Sequence, residues 1–114
     1  MDFAIPQEIE ALCNNIRKFM DDYVYPLERV HEGWRMEVGG PAYPPAIKAI
    51  QAKAKEAGYW AFHLPKEAGG AGLPFMHYVF VNEILGRSPI APVACGSQAP
   101  DSGNAEILAH YGTE

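Results

Sequence analysis

Three carboxylates stand out as groups that could do acid–base chemistry: Glu67, Glu83 and Asp101. General acid–base work needs such groups paired, with environments that push their protonation apart. No pairing follows from their spacing. Asp101 is expected as a helix N-cap, and Glu83, near a helix end, as a structural or domain-contact residue. His31, His63, His77 and His110 have no ligand-like spacing with one another or with Cys13 and Cys95, so no metal site is expected. The two thiols read as reduced and partly buried, with a disulfide left open for want of distances. Ser97 lacks the glycine-flanked turn that exposes a nucleophilic serine, so no triad is expected around it. The loop Gly69-Gly70-x-Gly72 before a helix invites a phosphate reading, since helix N-termini attract anions. It has no preceding strand, no Lys-Ser/Thr ending and no dinucleotide spacing. A tight loop joining two helices is the expectation.

Helices must position all of these groups. Apolar residues from Ile5 fall at Ile9, Leu12, Ile16, Phe19 or Met20, and Tyr23. Steps of three and four predict an amphipathic helix, with Pro6 in its first turn. Pro26 is expected to stop it, with Tyr25 pushed out of the helical region. Leu27 to Glu32 can add a helical turn, and Val38 to Pro44 reads as loop. A second helix is expected from Pro45 to about Ala57, with Ile47, Ile50 and Ala54 inward and Gly58 as its left-handed cap. Tyr59 to Pro65 reads as a buried loop and Lys66 to Gly72 as a turn. A third helix begins near Leu73-Pro74 and runs through Tyr78, Val81, Ile84 and Leu85 to Gly86. Ser88 to Gly96 permits a short helix with a proline in its first turn. A last helix runs from near Asp101 to Tyr111, stopped by Gly112. No repeat and no β-alternation appears, so the fold class is all-α. Gly112-Thr113-Glu114 places a stop, an N-cap and an acidic first-turn residue in order, which announces a further helix. The chain is therefore expected to be one domain, residues 1–114, cut from a longer protein.

Composition agrees with a globular domain. Of 114 residues, 48% are apolar and 20% charged, ordinary values for a packed chain. Net charge is −5, and the nine Lys and Arg are scattered. Nucleic acid is thus not expected as a partner, because phosphate binding needs a concentrated basic face. No run approaches roughly 18 uninterrupted apolar residues, so no membrane span is expected. Met1 to Pro6 is neither a secretory signal nor a visible transit peptide, which predicts a cytoplasmic protein.

The order of motifs carries a family resemblance. Ala57-Gly58-Tyr59-Trp60 through Leu64-Pro65-Lys66-Glu67-Ala68-Gly69-Gly70-Ala71-Gly72-Leu73 resembles a signature of acyl-CoA dehydrogenases. In that signature a helix ends in Gly, the chain passes a Pro-acid segment, and Gly-Gly-x-Gly opens the next helix. Asn82-Glu83-Ile84-Leu85-Gly86-Arg87-Ser88 is similar to a helix ending of the family. Gln98-Ala99-Pro100-Asp101-Ser102-Gly103-Asn104, followed by Gly112-Thr113-Glu114, resembles one branch that includes multidomain members. The resemblance runs from Ile5 onward and is most specific from Gly58.

The resemblance implies a helical-bundle N-terminal domain, followed in the family by a central β-domain and a C-terminal four-helix domain. It implies FAD in the complete enzyme, bound mainly by those two later parts, with none bound by this chain alone. The implied substrate is an acyl-CoA, from which a glutamate of the C-terminal part removes an α-proton while a hydride leaves to the flavin. An electron-transfer acceptor, and the remaining domains or a partner subunit, are the implied partners. Segments carrying that chemistry are not in this sequence, so the chain alone is expected to be silent. The corresponding family region borders the acyl-chain cavity, which leaves two readings of Gln98, Asp101 and Asn104: cavity or domain-interface residues, or turn-forming residues local to this domain. Leu85, Ala91 and Val93 are the expected lining of the cavity's apolar end. Trp34, Trp60, Phe62, Tyr78 and Phe80 are expected in the core or at an interface. A domain cut from a larger enzyme exposes apolar surface, which predicts self-association or docking. The alternative is a stand-alone helical interaction module of the same descent, without catalysis.

Overall fold

The structure, a computed structural model, describes residues 3–30 and 44–113. The expected loop from Val38 to Tyr43, and the placements expected of His31, Glu32, Trp34 and Glu114, lie outside the described residues. Among the described residues all regular structure is helical. Helix α1 spans Gln7–Phe19, α2 Tyr25–Val30, α3 Pro45–Glu56, α4 Phe75–Leu85, α5 Ala91–Ala94 and α6 Asp101–Tyr111.

Helix α1 buries Ile9, Cys13, Ile16 and Phe19 along one stripe, whereas Leu12 is only half-buried and Tyr23, beyond the helix end, is exposed. Glu8 and Glu10 lie in its first turn and Arg17 and Lys18 in its last, each suited to the helix dipole there. Pro6 is not in the first turn but at the cap, in extended conformation. Its carbonyl oxygen accepts the N–H groups of Ile9 and Glu10, both at 2.9 Å. Pro44 and Pro74 open α3 and α4 in the same way. A proline fixes its own φ, and an extended ψ then aims its carbonyl at the helix it starts.

Pro26 does not stop the first helix, contrary to the sequence expectation. Tyr25 is helical, at φ −62° and ψ −38°, and its N–H reaches back five residues to the Met20 carbonyl. Residues Met20–Val24 form one wide π-turn that leads into α2. A wide turn changes which carbonyl faces the next residue, so the proline ring meets no carbonyl of the ordinary α ladder. Met20 and Val24, 1% and 0% exposed, remain in the core on both sides of that turn.

Helix α3 turns Ile47, Ile50 and Ala54 inward and closes on Gly58, as its pattern predicts. Gly58 has φ +77°. Its N–H bonds to the Lys55 carbonyl and that of Tyr59 to the Ala54 carbonyl, at 3.1 and 2.7 Å. This is the double closure for which a left-handed glycine is suited. Helix α1 packs on α4 and α3 on α5. Between α3 and α4 the segment of residues 59–65 is buried loop, with Phe62 fully enclosed and Ala61 and Leu64 nearly so.

Candidate functional site

Residues 85–104 divide into a buried half and an exposed half. Leu85, Ala91 and Val93 belong to the buried half, at 0%, 0% and 4% exposure, inside the domain's own apolar core. Ser88 is buried with them, and its Oγ accepts the N–H groups of Ile90 (3.1 Å) and Ala91 (3.3 Å). That side chain satisfies donors that the four-residue helix α5 leaves open. Pro92 lies in the first turn of α5, as expected of a short helix there. Gln51 of α3 donates from Nε2 to the Val93 carbonyl at 3.1 Å, and Ala61 donates to the Cys95 carbonyl at 2.7 Å. Helix α5 is therefore held by α3 and by the 59–65 loop as well as by packing. Burial alone pushes the Cys95 thiol up to about 12, and burial foremost also raises that of Cys13. Both thiols are free.

The exposed half carries Gln98, Asp101 and Asn104. Gln98 is half-buried, while Asp101 and Asn104 are exposed. Gln98 Nε2 donates to Asp101 Oδ2 at 3.0 Å. Asp101 is not the N-cap expected of it. Pro100 occupies that position, and Asp101 is the first residue of α6, where its charge suits the dipole. The Ser102 N–H bonds to the Gln98 carbonyl and that of Asn104 to the Pro100 carbonyl, at 2.8 and 3.1 Å. Sequence reasoning passed over His63, weighing it only as a metal ligand. Its Nε2 stands 3.2 Å from the Ser102 carbonyl oxygen, a contact between residues 39 positions apart that no local pattern encodes.

Helix α6 buries no residue. Ile107, Leu108 and Tyr111 are 59%, 69% and 84% exposed, and Phe75 and Met76 at the start of α4 are 76% and 50% exposed. Covering one such side chain is worth roughly 1.5–3 kcal/mol.

The glycine loop is committed to the fold. The N–H groups of Gly69, Gly70 and Gly72 bond to the carbonyls of Lys66, Pro65 and Leu64, at 3.0, 3.1 and 2.8 Å. Ala71 donates to the Ala61 carbonyl at 3.4 Å. A cradle for phosphate needs such donors free. A side chain at Gly70 would also run into the Ala61 carbonyl oxygen, 2.6 Å from its Cβ. Beside the loop, an open cleft of about 370 Å³ is lined by Lys55, Gly58, Trp60, Ala68, Gly69 and Gly70. The Lys55 ammonium sits 4.2 Å over the Trp60 ring in it. Glu67 and Glu83 are exposed and apart from the 97–104 turn in sequence. Ser97 Oγ donates to the Cys95 carbonyl at 3.5 Å. Among the described residues no three His, Cys, Asp or Glu side chains are grouped to hold a metal ion. No helix is long and apolar enough to cross a membrane among those residues.

The family model for the acyl-CoA dehydrogenase N-terminal domain matches residues 6–114. The chain is 36% identical, over its whole length, to the probable acyl-CoA dehydrogenase FadE2 of Mycobacterium tuberculosis, of which it spans 28%. It is 34% identical to acyl-CoA dehydrogenase family member 10 of Mus musculus, over 93% of this chain and 10% of that protein. A solved structure from Mycobacterium abscessus, described as that of an acyl-CoA dehydrogenase, superposes with a TM-score of 0.79 at 32% identity. The match covers 97% of this chain and 30% of the solved one.

Proposed function

The chain belongs to the acyl-CoA dehydrogenase family as an N-terminal domain, and from that premise we propose that it forms one wall of an acyl-chain cavity. The enzyme served is a flavin-dependent dehydrogenase that introduces an α,β double bond into an acyl-CoA thioester. The observation that carries the reading is the turn of residues 97–104. Its polar side chains Gln98, Asp101 and Asn104 stand at the head of a helix whose apolar side chains are uncovered. Leu85, Ala91 and Val93 are packed in the domain's apolar core. A cavity wall needs this combination: an apolar surface for the chain and a few placed polar groups.

Among the described residues, the glycine loop before α4 does not fit the pyrophosphate of FAD, which needs free N–H groups: those of Gly69, Gly70 and Gly72 are spent inside the fold. In this reading the flavin site and the catalytic base come from other parts of the enzyme, and the chain alone is silent. Other domains or a partner subunit cover α6, acyl-CoA is the substrate, and an electron-transfer acceptor takes the electrons.

Substitution within the complete enzyme tests the reading. Exchanging Gln98, Asp101 and Asn104 for Ala should raise KM for acyl-CoA or shift the preferred acyl length several-fold, with the flavin spectrum unaltered. Kinetics unchanged with every acyl length would remove these residues from the cavity.

A further inference from the structure

His63 joins two parts of the domain that differ in how they are held. On its own side, Phe62 and Leu64 are anchored in the core at 0% and 7% exposure, and Ala61 is bonded to Cys95. Its ring lies 5.5 Å from that of Tyr78 in α4, tilted by 35°. On the far side, α6 has no buried residue to hold it. The bonds from Gln98 to Asp101, Ser102 to Gln98 and Asn104 to Pro100 all span three or four residues. Those three bonds are local and shape the turn itself. The contact of His63 with Ser102 does cross. A carbonyl oxygen only accepts, so Nε2 must carry the proton for the bond to form. The other ring nitrogen, Nδ1, is buried and without a hydrogen bond among the described residues.

We propose that His63 is a positioning residue: its Nε2–H, fixed by α4 and the 59–65 loop, sets the turn that presents Gln98, Asp101 and Asn104. Its relevance to substrate rests on the cavity reading above; the contact itself does not. Hydrogen exchange of the 114-residue chain tests it. In His63→Phe, which keeps a ring against Tyr78, amides of residues 105–111 should exchange roughly fivefold faster, with those of α1 and α4 unchanged. His63→Gln, which offers an amide N–H near the same place, should restore protection. Unaltered exchange in His63→Phe, equal acceleration in α1 and α4, or no rescue by Gln would overturn the proposal. A nitrogen-15 spectrum of the unsubstituted chain gives a variant-free check. It should show the Nε2–H tautomer, and an Nδ1–H tautomer would overturn the proposal. Neither measurement uses acyl-CoA or flavin, so its failure is distinct from failure of the cavity reading.

Discussion

Trp60 packs so closely on Gly96 that a Cβ built there would stand 2.9 Å from two indole carbons, Cε2 and Cζ2. Gly96 also has φ +63°, which an L side chain rarely adopts. Both facts place glycine at the junction between α5 and the 97–104 turn.

Gly96→Ala should therefore be destabilised by strain and by overpacking together, about 2 kcal/mol or more. Gly58→Ala isolates the strain, since φ there is +77° with nothing within 4 Å of an added Cβ. It should lose only about 1 kcal/mol. Thermal unfolding of the two variants checks the order, with Gly96→Ala lower by roughly 10 °C than the parent.

Stability should fall at high pH partly through Cys95. Its folded value of about 12 lies above the ordinary 9.0, because burial disfavours the thiolate. A raised value means the contribution is whole below about pH 9 and is lost as pH climbs toward the folded value. Urea unfolding from pH 7 to 10.5 should show a shallower decline in Cys95→Ala than in the parent, whatever their difference at pH 7. Native thiols should also react slowly with a thiol reagent at pH 8, and quickly in urea.

The uncovered face of α6 should make the chain associate. Sedimentation at micromolar concentration should reveal oligomers, and an apolar dye should bind. The double variant Leu108→Lys, Tyr111→Lys should lose both while keeping its helical circular dichroism, because neither side chain is buried and lysine suits helices. A parent chain that is strictly monomeric and binds no dye would contradict this expectation.

Much of the fold was legible because helices announce themselves by period. Ile9, Ile16, Phe19 and Met20 of the first stripe and Ile47, Ile50 and Ala54 of the second are buried where their spacing placed them, whereas Leu12 is half-buried, Tyr23 is exposed and Cys13 takes a core position that the pattern did not assign. Gly58 closes α3 as its position implied. Pro26 misled because the rule against proline assumes an α ladder, and a π-turn of five residues removes that assumption. Asp101 misled by one position, since several residues of 97–104 are able to start a helix and tertiary placement chose Pro100. At the candidate site, the local pairing of Gln98 and Asp101 was within reach of sequence, three residues apart. The links from Gln51 to Val93 and from His63 to Ser102 cross 42 and 39 residues, which spacing along a chain does not show.

The visible absorption spectrum of the purified chain, with FAD and then a medium-chain acyl-CoA added, tests the central claim most directly. A wall of the cavity with no flavin site of its own should retain no flavin band after removal of free FAD, and should show no bleaching. A stoichiometric flavin band that bleaches with acyl-CoA would contradict the account, since the chain would then carry a complete site.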